Sequence, residues 1–161
     1  MGLDIIAVKN IKEYKKQANA AEQAENKLID EAGPDDVISW DSIDYPKVEL
    51  SFSIPYSGFH NLRLNMGNAV GFKHREEPPK NSEDIFHQIL IDYDDDSPDY
   101  LKRFFFHEDN EGKYSKADIK KLAQLLKGVP SIKETYGYPN YARFRKFVLD
   151  SADKDLEWLF E

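Results

Sequence analysis

Apolar residues recur along this chain at two spacings. Leu3 to Val8 is a short run rich in β-branched residues, which predicts a strand inside a sheet. Asn10 then suits a helix cap, with Glu13 at the third helical position as a variant capping box. Residues 11–32 are rich in Lys, Glu, Gln and Ala, and Ile11, Tyr14, Ala18, Ala21, Ala24, Leu28 and Ile29 form one narrow stripe. Such a stripe predicts a helix that either packs closely along one side or projects partly into solvent as an insertion. Gly33-Pro34 ends it. Residues 35–46 are acidic and turn-prone, with Trp40 as their large apolar anchor. Val48, Leu50, Phe52 and Ile54 alternate with Glu49, Ser51 and Ser53, which predicts a half-buried strand stopped by Pro55.

The next stretch, Tyr56 to Phe72, is the one around which the rest is expected to assemble. Phe59, Leu62, Met66, Ala69 and Val70 fall on one stripe at helical spacing. Ser57 suits the N-cap, and Gly71 suits a C-terminal position at positive φ.

Residues 73–83 are polar, contain Pro78-Pro79 and read as an exposed loop, while 85–91 fits either a helical turn or a strand. Asp92, Asp94, Asp95, Asp96 and Asp99 crowd a segment expected to be a solvated loop. Tyr100 to Phe106, with three consecutive phenylalanines, reads as a strand buried on both faces. After a turn at 107–112, Ser115 caps a helix whose inner face is Ile119, Leu122, Ala123 and Leu126, ended by Gly128 and Pro130. A last helix over 140–152 turns Tyr141, Phe144, Phe147 and Val148 inward, and 156–160 closes as a short strand. These elements predict a single α+β domain over 1–161, with a small mixed or antiparallel sheet against three or four helices. Insertions or loops are expected at 11–47 and 73–100.

Composition narrows the chemistry. At 161 residues, 40% hydrophobic and 13% aromatic, the chain can bury a core in which ring packing dominates. A net charge of −8 argues against a non-specific grip on nucleic acid or an anionic membrane. The chain has no cysteine, which excludes disulfides, thiolate metal sites and cysteine nucleophiles. It has neither a transmembrane-length apolar run nor a signal-peptide pattern, so a soluble cytoplasmic protein is expected.

Two clusters carry candidate chemistry. At the start of the 56–72 helix, Ser57, Gly58 and the next N–H groups point to an anion site, with His60 and Arg63 on successive turns closing over a phosphate or carboxylate. The bland alternative is an ordinary cap, an exposed histidine and an arginine paired with an acidic residue. In the 107–112 turn, His107, Glu108, Asp109 and Glu111 offer acid/base groups or hard-cation ligands, with Asp109 and Glu111 as the metal candidates. The alternative there is turn shaping and a favourable charge before the following helix. No cofactor is predicted, and a divalent metal is left open. His74, His87 and His107 have no constraining metal spacing.

Together these segments resemble a family of small uncharacterised bacterial and phage proteins. Those open with Met-Gly-Leu-Asp-Ile, as here at Met1 to Ile5. They carry a central Tyr-Ser/Gly-Gly-Tyr-Asn-x-Trp-Arg segment ending in Gly-Tyr, similar to Tyr56, Ser57, Gly58, Phe59, His60, Leu62, Arg63, Gly71 and Phe72. A later Phe-x-Asp-x-Glu-Gly turn is similar to Phe106, Asp109, Glu111 and Gly112, and the aromatic last helix looks alike. His60 and Leu62 depart from the family's Asn and Trp. The resemblance implies no activity. It implies that Ser57, Gly58, Arg63, Asp109 and Glu111 belong to one pattern, as a structural ion pair or as two walls of a pocket.

Three functions follow as expectations. The first is an accessory or interaction protein of phage or mobile-element origin in a bacterial host, binding a protein or a small anionic ligand. The second is a small enzyme on a phosphorylated or nucleotide-like substrate. There Arg63 would neutralise phosphate, His60 would serve as acid or base, and Asp109 or Glu111 would hold a metal or a proton. The third is nucleic-acid mimicry by the acidic face.

Overall fold

The computed structural model describes residues 2–71, 73–77, 88–92, 97–105 and 112–161, with 73–77 and 88–92 described by their backbone. Strand β1 (Gly2–Val8) lies inside a four-stranded antiparallel sheet, between β2 (Leu50–Pro55) and β6 (Glu157–Phe160), and β5 (Gly112–Tyr114) forms the far edge. Ile5 stands opposite both Phe52 and Phe160. The apolar run of β1 has a direct cause. Leu3, Ile5 and Ala7 enter the main core, while Ile6 and Val8 pack on the other face with Leu159 and Ile11.

That second face is covered by α1 (Ile11–Glu31). The Asn10 side chain accepts from Glu13 N at 3.0 Å, so the capping expectation holds. The Glu157 carboxylate accepts from Ile11 N at 2.8 Å and pins the helix start to β6. Ile11 and Ala21 are the helix's buried residues, and its second half runs largely in solvent.

On the main face lie α2 (Tyr56–Ala69), α3 (Asp99–Phe105), α4 (Lys116–Lys127) and α5 (Tyr141–Asp153). Their side chains build an aromatic core. The Phe147 and Trp158 rings stack at 5.1 Å, Tyr114 and Trp158 at 5.4 Å, and Phe104 and Phe144 at 5.5 Å. The buried Trp158 indole donates to Ser151 Oγ at 2.9 Å. The α+β class with a small antiparallel sheet is therefore what the chain adopts.

Three expectations are corrected. Tyr100 to Phe106 is not a strand as far as it is described, because 99–105 forms α3. Leu101, Phe104 and Phe105 are spaced three and four apart and face the core, Asp99 stands in the first turn, and Lys102 and Arg103 stand in the last. The run of phenylalanines had hidden that helical spacing. Residues 73–77 are not loop but strand β3 (Lys73–Glu77), paired antiparallel with β4 (Gln88–Asp92) beside α2. An all-polar strand carries no apolar alternation to announce it. The anchor of 35–46 is Ile43, which is buried, whereas Trp40 is 42% exposed.

Candidate functional site

Helix α2 follows β2 without a connecting loop. Its N-cap is Pro55, held at φ −57° by its ring, and no side chain caps the first turn. Ser57 is thus not the N-cap. The proline redirects the chain two residues earlier than expected, and the serine lies exposed inside the first turn. Gly58 has a packing reason. A Cβ there would sit 2.9 Å from Ile54 Cγ1, so the absent side chain lets the helix start press against the strand before it. His60 is half-buried one turn on.

Arg63 is 8% exposed. Its guanidinium carbon lies 4.5 Å from the centroid of the Phe59 ring, and Nη1 donates to the Phe105 carbonyl at 3.2 Å. The side chain therefore folds back over the preceding turn and ties α2 to the end of α3. Ser57, Gly58, His60 and Arg63 do lie together on the first two turns, with the serine outside and the arginine inside. His107, Glu108, Asp109 and Glu111 lie outside the described residues, as do Asp94, Asp95 and Asp96.

A residue that the sequence reading missed organises the other side of α2. Asn65 is 1% exposed. Its Oδ1 accepts from Thr135 N at 3.0 Å and Tyr136 N at 3.2 Å, and its Nδ2 donates to the Tyr136 carbonyl at 3.0 Å. One amide thus holds the strap between α4 and α5. Glu134 anchors the same strap, accepting from Asn140 N at 2.7 Å and Tyr141 N at 2.9 Å at the start of α5. Asn65 is one of three asparagines between Asn61 and Asn68, interleaved with Leu62, Leu64 and Met66, and nothing in its spacing distinguishes it from the other two. The helical stripe marks which residues face the core, but not a polar residue facing a second covering layer.

The described surface has a second prominent feature. The C-terminal half of α1 and the segment after it form a shallow concavity of about 710 Å³, with Leu28, Ala32, Val37 and Ile38 among its lining and Glu31, Asp36 and Asp41 around it. Val37 is 97% exposed, Ile29 52% and Trp40 42%. The segment is nonetheless ordered by its own contacts. Asp36 accepts from Gly33 N at 2.7 Å, Tyr45 OH donates to Glu25 at 2.6 Å, and Ile43 is buried. That hydrogen bond to Glu25 raises the Tyr45 hydroxyl above its usual pKa. From Glu25 to Glu49 there are eight carboxylates and two lysines, which is six of the chain's eight net negative charges. Lys27 pairs with Glu31 at 3.8 Å and Lys47 with Glu49 at 2.9 Å.

Among the described residues, no group of three or more His, Asp or Glu is placed to hold a metal ion, and no described helix is long and apolar enough to cross a membrane. No protein-family model, curated protein or solved structure matches the chain. Fold and surface therefore define its class directly. It is an α+β protein whose central helix is covered on several sides, with an acidic, apolar-studded face on its long first helix.

Proposed function

We propose that this chain is a non-enzymatic accessory protein of phage or mobile-element origin, a member of the bacterial and phage family that its motifs resemble. It works in the cytoplasm of a bacterial host by binding another protein through the face built from 28–46. The observation that carries this reading is the exposure of Ile29, Val37 and Trp40 in one acidic, ordered segment. Single exposed apolar residues are ordinary, but several in one segment, with Val37 lining a shallow concavity there, mark an interaction surface. Arg63 fits the same reading as a structural cation, since its guanidinium is buried and engages a ring and a main-chain carbonyl.

The enzyme reading has one observation in its favour, the start of α2, where no side chain caps the first-turn N–H groups. A thermal-shift screen with nucleotides, phosphosugars and divalent metals, run beside Arg63→Ala, separates the two. The expected result is no shift with any of them and a variant that is simply less stable. A ligand at 100 times its dissociation constant adds about 2.7 kcal/mol, so a stabilisation that disappears in Arg63→Ala would replace the binding-protein reading with the enzyme one. In parallel, Val37→Ser and Ile29→Ser are expected to leave stability within about 0.5 kcal/mol of the parent, because neither side chain is held by the core.

A further inference from the structure

The occupant of this face can be specified by class. Resting on the reading just given, we propose that the concavity between the C-terminal half of α1 and 36–42 docks a basic protein segment that carries apolar anchor residues. The apolar part follows from Leu28, Ala32, Val37 and Ile38, which line the concavity, and from the exposed Ile29, the next residue after Leu28 on α1. These surfaces gain by leaving water together with a matching apolar side chain.

The basic part follows from charge. The face holds most of the chain's net negative charge, and its two lysines are matched to Glu31 and Glu49. A second observation points the same way. A helix C-terminus carries partial negative charge and favours cations. The last turn of α1 has no basic residue, and Asp30 and Glu31 stand there instead, with Asp35 and Asp36 just beyond. This arrangement works against the isolated helix, and a lysine or arginine from a partner would relieve it. An anionic or neutral partner would leave it uncompensated. The partner is therefore a cationic amphipathic segment, laid with its apolar side toward Val37 and Ile38 and its charges toward the carboxylates around them.

Trp40 gives a local readout, because the other tryptophan, Trp158, is fully buried. The full chain is titrated at physiological ionic strength with three synthetic peptides of equal length: a Leu/Lys amphipath, a Leu/Glu amphipath and a Lys/Ser peptide. The expected result is a saturable Trp40 emission shift with Leu/Lys alone. The double variant Ile29→Ser/Val37→Ser should weaken that binding about tenfold, the effect of losing roughly 1.4 kcal/mol of apolar contact. Equal binding of Lys/Ser would reduce the effect to general charge attraction and overturn the proposal. Binding of Leu/Glu instead of Leu/Lys would overturn the basic partner while leaving the face a protein-docking surface. No response to any peptide would overturn the docking face itself, and the binding-protein reading with it. Concentration-dependent self-association that shifts Trp40 without peptide would assign the face to a second copy of this chain and overturn the proposal.

Discussion

Replacing Asn65 with alanine should loosen the strap between α4 and α5 without disturbing the helix that bears it. Alanine has the higher helix propensity, so the backbone of α2 loses nothing. What disappears is a set of three hydrogen bonds, from Thr135 N, from Tyr136 N and to the Tyr136 carbonyl, all made by a side chain 1% exposed. A typical intramolecular hydrogen bond contributes about 1 kcal/mol net, which gives roughly 3 kcal/mol for the three together. The truncation also leaves a small cavity, which adds to this, while water reaching the partly exposed strap offsets some of it. For a chain of this length, 3 kcal/mol corresponds to a fall in Tm of about 6–12 °C. Urea unfolding should therefore show a lower midpoint at unchanged slope. Amide exchange at Thr135 and Tyr136 should accelerate well before exchange in β1 does. A loss below about 1 kcal/mol, or a loss spread evenly over all amides, would refute the idea that this one amide holds the strap.

Three further outcomes are expected. Ser151→Ala should destabilise by about 1–3 kcal/mol in urea unfolding, because it orphans the Trp158 indole N–H in a site with no solvent access. Gly58→Ala should also destabilise, by about 1 kcal/mol on the same measurement, since the gain in helix propensity is outweighed by a methyl group forced to within 2.9 Å of Ile54. The third concerns Asp118. Burial works to raise its carboxyl, but the hydrogen bonds from Arg103, at 2.7 and 3.0 Å, and from the Ser115 hydroxyl outweigh it, and the net effect holds it below the ordinary value of 3.8. The folded state thus releases this proton more readily than the unfolded one. The resulting stability is present above about pH 4 and is lost as pH falls through the lowered value. The stability difference between the parent and Arg103→Gln, followed by urea unfolding across pH, should shrink as pH drops below 4.

The legible parts of this fold were those written in one local period. The alternation in β2, the caps at Asn10 and Ser115 and the stripes of α4 and α5 each carry their signal within a few residues, and each appears where it was expected. The positive φ of Gly71, at 84°, belongs with them. The misread parts depend on what lies across the fold. Phe104 and Phe105 can be read as strand or helix until the partner is known, and β3 exists through its pairing with β4 rather than through its own apolar content. In the candidate site, the grouping of Ser57, Gly58, His60 and Arg63 on two turns was legible from spacing. The inward course of the arginine was not, because it depends on the Phe105 carbonyl arriving from a helix 42 positions away. Asn65 was silent for the same reason, since its partners lie about 70 positions further on.

The register of β1 has a consequence for the order in which the molecule can fold. One neighbour of β1, β2, emerges early in synthesis, but the other, β6, pairs Ile5 with Phe160 across almost the whole chain. Until Trp158 and Phe160 arrive, the sheet face begun by Leu3, Ile5 and Phe52 lacks the rings that Phe59 and Phe147 also pack against, and α1 has no Leu159 to cover. Until β6 is made, a nascent chain therefore leaves one edge of β1 and part of its inner apolar face open, and long-range pairing of this kind slows the final closure. Substitutions that weaken the β1–β6 pairing should lengthen that exposed interval, and their effect would be felt as poorer yield of folded protein before any loss in the stability of the finished molecule.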